Sequence, residues 1–354
     1  MKKFLRTILL IINVLFVVAL IVSTLAGSLP PSRFAAVSIL SYGYLPLLIA
    51  NVVFVILWLC LSRWEFLIST AAIVIRFAFV GLFFQLGGTK EVESAEGQLK
   101  VMTFNTHSFR GQDSDTLMTA DSGACEFLRI VDAEQPDVIC LQEYFSPSRM
   151  NVSDSLVARG YRSRYGTHGA QANASTILFS RCRLVKGHEM DKRTKFYADL
   201  RTKTGETVRV CVVHMDSYQL TDKDMEGFDK LTHAKPDSTT RGLLGKFVET
   251  TRQHEEEWTD ELLPLIEATD VPIIIAGDFN DTPASYIYQQ ITRHLTDPYV
   301  EQGRGLGTTY HGPYPAFRID YIFHSPELTP LSYKRIKTPI SDHYPIVVTL
   351  KIEN

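Results

Sequence analysis

The chain has 354 residues, 45% of them hydrophobic, and a formal net charge of −3. That length holds one large domain or two smaller ones. Seven of the 36 Lys/Arg and four of the 39 Asp/Glu precede residue 97, which leaves the remainder at net −6. Proteins that hold nucleic acid through its phosphates usually carry a basic footprint, so the total charge excludes a strongly basic binder and leaves only a local patch as a route to nucleic acid.

Before about residue 90 the chain is overwhelmingly apolar. Lys2, Lys3 and Arg6 precede an apolar run over 7–26, and two more follow over 35–61 and 66–86. A basic start plus one apolar core is the pattern of a signal peptide. Three runs, each near the roughly 20 residues needed to span a bilayer, favour three transmembrane helices instead. Pro46 is tolerable in such a helix, and Arg76 is expected to snorkel or to face a neighbouring helix. The positive-inside rule puts the N-terminus in the cytoplasm, Arg63 on the same side, and everything after Leu86 on the far side. The reading is a region 1–88 integral to a bacterial-type inner (plasma) membrane, a polar linker over 89–98, and a periplasmic or extracellular domain over 99–354.

From Leu99 short apolar runs alternate with amphipathic stretches. Strands are expected at Leu99–Phe104, Asp137–Gln142, Ser175–Ser180, Val208–Val213, Val271–Ala276, Arg318–Phe323 and Pro345–Ile352. Helices are expected at Ala124–Glu134, Gly242–Ala268 and near Ala284–Thr292, and a long surface loop over Asp216–Thr240. Interleaved strands and helices imply an α/β layered domain, with mixed sheets because several connections are too short for helical crossovers. Cys60, Cys125, Cys140, Cys182 and Cys211 form no C-x-x-C, so buried thiols are expected, with a Cys125–Cys182 pair not readable from spacing.

Polar residues recur where these strands end. Val271–Asp281 (Val-Pro-Ile-Ile-Ile-Ala-Gly-Asp-Phe-Asn-Asp) is a buried-strand pattern that breaks at Gly277 and presents Asp278 and Asn280 on one face. Asp, Asn and Gly are also turn residues, and a turn would account for this stretch alone. Yet Asn105, Glu143, His214, Asp320 and Asp342-His343 terminate other strands in the same way. A salt bridge could explain Glu143, an Arg318 neighbour Asp320, and a helix cap Ser341-Asp342-His343. Six such termini together point to one site assembled from two sheets.

Phe104-Asn105, Leu141-Gln142-Glu143, Gly277-Asp278-Phe279-Asn280, Arg318-Ile319-Asp320-Tyr321 and Ser341-Asp342-His343 resemble, in order, the motifs of the endonuclease/exonuclease/phosphatase superfamily, the DNase-I-like metal-dependent phosphodiesterases. The resemblance covers roughly 99–352. It implies a four-layered α/β sandwich of two mixed sheets, and hydrolysis of a phosphoester by metal-assisted attack of water. Hard oxygen ligands suit Mg²⁺, with Mn²⁺ the alternative ion. Glu143 is the leading ligand, and Asn105 and Asp342 support the ion or its waters. The family pattern pairs His343 with Asp320. It offers Asp278 and His343 alike as general base, and Asn280 and His214 as hydrogen-bond donors to the phosphate. Some family nucleases carry Asp two residues after the first-motif Asn. Here that position is His107, which either contacts phosphate or is a solvated loop histidine. His168, His188, His233, His254, His294, His311 and His324 match no motif and are read as surface or core, and Trp258, Tyr286 and Tyr288 as helix packing. Lipid-linked or small phosphoesters fit the tether and the acidic domain. A nuclease and a catalytically inactive binding module are the competing readings, and the loops Asp216–Thr240 and Gly303–Pro315 would decide the substrate.

Overall fold

A computed structural model of the chain describes residues 3–87, 97–111, 119–146, 150–167, 175–190, 194–233, 235, 237–312 and 317–353. Most of the expected 89–98 linker, and His168, lie outside the described residues. The chain clusters into two compact units, one of Met1–Leu82, Asp216–Asp260 and Asp281–Ile291, the other of Phe83–Met215, Glu261–Asn280 and Thr292–Asn354.

The first unit begins with helices α1 (Lys3–Ala26), α2 (Pro31–Ser38), α3 (Tyr44–Cys60) and α4 (Phe66–Ile75). Among the described residues two helical stretches, Lys3–Ala26 and Pro31–Cys60, are long and apolar enough to cross a membrane, against the three expected. The third run breaks where its charge lies. Arg76 leaves helical geometry (φ −106°, ψ 18°), only Phe77–Val80 resumes it, and Phe84–Gln85 is already a strand. A cation is costly within hydrocarbon, so a span through Arg76 is the least favourable of the three. Even so, α4 is tied to its neighbours. Asn13 Nδ2 donates to Ser69 Oγ (2.6 Å), Ser69 Oγ to Asn51 Oδ1 (2.9 Å), and Trp58 Nε1 to Asn13 Oδ1 (2.9 Å), all buried. Such polar links fix helix register where apolar surfaces alone are interchangeable. Arg6 pairs with Glu65 just before α4.

The stretch Asp216–Thr240 is not the irregular loop its polarity suggests. It contains α5 (Asp222–Thr232) and the start of α6 (Ser238–Glu257). Local caps outweigh composition here. Thr221 donates through N and Oγ1 to Asp224 Oδ2 (2.7 Å each), and Asp237 with Thr240 forms a capping box. The long helix expected to run to Ala268 instead passes through a π turn at Trp258–Leu262. Pro264, two residues on, cannot donate to a helical carbonyl, which favours such irregularity. Trp258 and Tyr288 are buried, as expected of packing residues.

Within this unit His254 is fully buried on α6. Its Nδ1 lies 3.0 Å from Asp281 Oδ2, and its Nε2 2.7 Å from the Asp216 carbonyl. Burial opposes its charge, but the hydrogen bond and charge of Asp281 win and raise its pKa to about 9. Tyr42 hydrogen-bonds to the same carboxylate and to Tyr218.

The second unit holds two mixed sheets. Its strands are β1 (Gln98–Asn105), β2 (Val138–Tyr144), β3 (Ser163–Gly166), β4 (Ser175–Ser180), β5 (Arg183–Glu189), β6 (Phe196–Arg201), β7 (Thr207–His214), β8 (Ile273–Asp278), β9 (Asp320–His324), β10 (Leu328–Arg335) and β11 (Ile346–Ile352). One sheet runs β10-β11-β1-β2-β4-β3 and the other β9-β8-β7-β6-β5. β1 and β2 are parallel, as are β7 and β8, and the other pairings are antiparallel. Val101, Val138, Leu178 and Val348 from one sheet share a dry core with Ala198, Val210, Val212 and Ile274 from the other. Phe104, Ile139 and Leu141 point the opposite way, onto Phe127 and Val131 of the helix Ala120–Glu134. Period-two alternation thus buries both faces of the first sheet. The expected α/β sandwich is present. Cys125 and Cys182 form no disulfide; the first is exposed and the second buried.

Candidate active site

The parallel pairs β1·β2 and β7·β8 bring strand ends of both sheets to the same end of the sandwich. Asn105 lies beside Gln142, and His214 beside Asp278. Asp320 faces Asp278 across the antiparallel β8·β9 pair. Gly277 permits this approach. Its φ is +153°, and a Cβ there would lie 1.8 Å from the Val213 carbonyl oxygen. Glu143 is aimed by a register shift between Leu141 and Tyr144 and by left-handed backbone (φ 47°), which Thr106 Oγ1 secures by donating to its carbonyl (2.8 Å). Bulges and strained residues of this kind concentrate at functional sites.

Asp320 Oδ2 holds His343 Nδ1 at 2.9 Å, both buried. The other imidazole nitrogen, Nε2, lies 3.8 Å from Asp278 Oδ2. Asp278, Asp320 and His343 each bring a donor atom within 4.8 Å of the others. Asn105 Nδ2 donates to Asp278 Oδ2 (2.9 Å) and to Glu143 Oε1 (3.1 Å), and its Oδ1 accepts from the His107 N–H (3.2 Å). His214 Nε2 sits between the same two carboxylates, 3.8 Å from Glu143 and 3.9 Å from Asp278. Asn280 N donates to Asp278 Oδ1 (2.9 Å), while its Nδ2 is engaged with the Met215 carbonyl. Asp342 Oδ1 accepts from Ser341 Oγ (3.2 Å) and lies 3.6 Å from His107 Nδ1.

These contacts set the charges. Burial, then the charge of Asp320, raises the Asp278 pKa to about 6. Burial opposes ionisation of His343, but Asp320 and then Asp278 prevail and hold its pKa up at about 10. For Glu143 burial also opposes charge, and hydrogen bonding to His107 with the charge of His214 pulls the pKa down to about 2. His107 is raised, first by its bond to Glu143. A carboxylate poised near neutrality beside an imidazolium can accept a proton while its neighbour donates one.

All eight residues singled out from sequence (Asn105, Glu143, His214, Asp278, Asn280, Asp320, Asp342 and His343) therefore converge on one site. Several supporting groups carried no motif signal. Thr309 Oγ1 accepts from the Ile319 and Asp320 N–H groups (3.1 and 3.0 Å), fixing the start of β9. Tyr310 sets its ring edge on His343 (centroids 5.1 Å apart). Ser341, which did belong to a motif, donates from Oγ to the Asn105 carbonyl (2.8 Å). His311, read as a plain surface or core residue, donates its N–H to the Asp342 carbonyl.

Residues 102–343 match the model of the Endonuclease/Exonuclease/phosphatase family, and residues 6–83 match a family described as a domain of unknown function. No curated protein matches the chain. Solved structures that resemble it include an endonuclease/exonuclease/phosphatase from Beutenbergia cavernae DSM 12333, 19% identical over 73% of this chain and 72% of that one, with a TM-score of 0.50. The human Nocturnin catalytic domain with bound sulfate is 19% identical over 74% of this chain and 96% of its own, with a TM-score of 0.48. An endonuclease/exonuclease/phosphatase from Bacteroides vulgatus is 18% identical over 72% and 99%, with a TM-score of 0.48. At such identity the likeness to the Beutenbergia protein shows the fold.

Proposed function

The chain belongs to the endonuclease/exonuclease/phosphatase family of metal-dependent phosphoester hydrolases, and on that premise we propose that it is a membrane-anchored phosphodiesterase or phosphatase working outside the cytoplasm. The region 1–88 is the anchor, and every proposed site residue lies in 99–354. One observation carries the catalytic reading: a single amide, Asn105 Nδ2, donates to both Asp278 and Glu143. The carboxylate able to take a proton and the carboxylate able to bind a cation thus belong to one centre.

The donor set fits a hard divalent cation. Glu143 keeps its charge, and Asp342 adds a second carboxylate nearby; Mg²⁺ is commonly bound through one or two carboxylates and waters. Asn105 orients both carboxylates through Nδ2, and its Oδ1, which accepts one bond from the His107 N–H, keeps a second lone pair with which to support the ion or its waters. When bound, the ion would neutralise charge developing on the phosphoryl oxygens and the leaving group. The protein's own groups do the rest. Asp278 removes a proton from the attacking water at Oδ2, and Asn105 and the Asn280 N–H hold its carboxylate in place. His343, kept as imidazolium by Asp320, donates from Nε2 to the phosphate, and His214 adds a second donor.

The anchor rests on the exposure of the N-terminal helices. Only 22% and 17% of their apolar windows are buried, whereas the core helix of a soluble protein is mostly buried. Ile11, Leu15, Ile49, Val53 and Ile56 are all exposed. An exposed apolar surface this extensive marks an interaction site, here lipid. The acidic charge of the remaining chain and the tether favour a lipid-linked or small phosphoester over nucleic acid.

The test uses the full chain in detergent micelles. Bis-p-nitrophenyl phosphate is expected to be hydrolysed with Mg²⁺ or Mn²⁺, and EDTA to abolish the activity reversibly. Glu143→Gln should weaken metal affinity by at least about 100-fold, since even residues behind a ligand contribute 10–100-fold. Phospholipid vesicles should be cleaved in preference to plasmid DNA. A folded wild type inactive under all these conditions would overturn the assignment. For topology, a C-terminal alkaline phosphatase fusion should be active; an inactive one places the domain inside.

A further inference from the structure

The short strand Phe84–Gln85 closes the apolar N-terminal region, and it pairs antiparallel with Gly305–Leu306, more than two hundred residues on. Phe84 lies opposite Leu306, and Gln85 opposite Gly305. Directly opposed residues share one face of such a ribbon. Phe84 is 41% exposed, Leu306 49%, and Leu86, just past the strand, 89%. Exposed apolar residues scattered singly, such as Val157 and Val185, need no explanation. Two opposed across a ribbon, with a third close behind, form a patch. A two-stranded ribbon is marginal in water by itself, and this one is held from within. The hydroxyl of the buried Tyr299 lies within hydrogen-bond distance of the Gly305 carbonyl (2.7 Å) and the Phe83 carbonyl (2.9 Å). The Gly307 N–H donates to the Phe83 carbonyl (3.3 Å), and Arg335 Nη1 to the Leu306 carbonyl (2.9 Å). These carbonyls need no water, which is the condition for backbone at a hydrocarbon boundary.

From this arrangement we infer that the ribbon is a lipid-contacting edge of the catalytic domain, which seats Phe84, Leu86 and Leu306 in the surface of the bilayer. The inference rests on the membrane-anchored reading given above. The covalent chain argues for lipid as the occupant. Phe84 stands four residues after Val80, the last helical residue of the apolar region. At ~3.3–3.6 Å per residue, that stretch reaches no further than about 14 Å from the anchor. Arg304, exposed and next to Gly305, adds a basic group suited to anionic headgroups. The same loop continues from Leu306 into Thr309, Tyr310 and His311, which brace Asp320, His343 and Asp342. A ribbon seated in lipid therefore brings the site to phosphoesters at the bilayer surface.

The full chain would be reconstituted in vesicles of phosphatidylethanolamine and phosphatidylglycerol, in a Cys60→Ser/Cys125→Ser background that removes the exposed thiols. An environment-sensitive fluorophore is attached at Leu306→Cys, at Phe84→Cys and, as the control, at Val185→Cys on the edge strand β5. An unchanged melting temperature in detergent confirms that each labelled protein is folded, and the two ribbon positions report independently. Emission from positions 84 and 306 is expected to shift to the blue and to be quenched by nitroxide-bearing lipids, with position 185 unchanged. Quenching at position 185 as well would show the fluorophore itself seeking lipid and would overturn the inference. A blue shift at position 306 without quenching would give the face to a second copy of the chain, with the same consequence. Position 306 left in water, in protein that resists alkaline carbonate extraction, would overturn the ribbon's role and leave the anchor intact. Protein that carbonate extracts from the vesicles would overturn both.

Discussion

Asp278→Asn is expected to lower kcat by about a thousandfold, within the 10²–10⁴ that a positioned general base contributes, with a modest loss of thermal stability. The substitution is isosteric, but its single amide oxygen can accept from only one of the two donors, Asn280 N and Asn105 Nδ2, that the carboxylate serves. What it removes is the group able to take a proton near neutral pH. Burial and the charge of Asp320 put the Asp278 pKa at about 6. A base works only when ionised, so wild-type activity should fall as pH drops through about 6. The variant's residual rate should lack that acid limb. A pH–rate series on both proteins decides the matter: an acid limb that persists in Asp278→Asn, with kcat down less than tenfold, would move the base elsewhere.

The second large effect belongs to His343. His343→Gln should cost about 10²–10³ in kcat, the usual loss when a preorganised donor to a developing anion is removed. Asp320 and Asp278 hold the His343 pKa at about 10, so the imidazole carries its proton across the neutral range. Its task requires that proton, and wild-type activity should therefore decline only as pH rises through about 10. Asp320→Asn removes the largest of the influences that raise this pKa. The basic limb should then move to lower pH, with Nδ1 losing its anionic partner. The opposite displacement, an activity that requires deprotonated His343, would make His343 the base and reverse the two assignments.

The strands and the site were legible in the sequence for one reason: the same residues serve both. β-branched runs ending in Asn105, Glu143, His214 or Asp278 announce a buried strand and a polar mouth together. Where composition and local chemistry disagree, the reading failed. Asp216–Thr240 is polar enough to suggest a loop, yet paired caps at Thr221/Asp224 and Asp237/Thr240 make it helical. The run 66–86 is apolar enough for a span, yet one charge at Arg76 ends its helix. Thr309 and Tyr310 were invisible because their contacts with the start of β9 and with the His343 ring arise only through tertiary pairing. The choice between Asp278 and His343 as base was likewise out of reach. It depends on burial and on three charges within one pocket, and spacing along the chain encodes neither.

The contacts around Asp281 bear on how this protein should be prepared. Tyr42, from the turn between α2 and α3 inside the second apolar stretch, and His254, from α6, close on one buried carboxylate, and Tyr218 completes the cluster. A clone lacking residues 1–88 would delete Tyr42 and open that cluster to solvent. Removing one member of a buried charged network commonly costs about 3 kcal/mol or more, a large share of any domain's margin. Low yield or weak turnover from such a fragment would then report an amputated folding unit and say nothing against the chemistry of the intact chain.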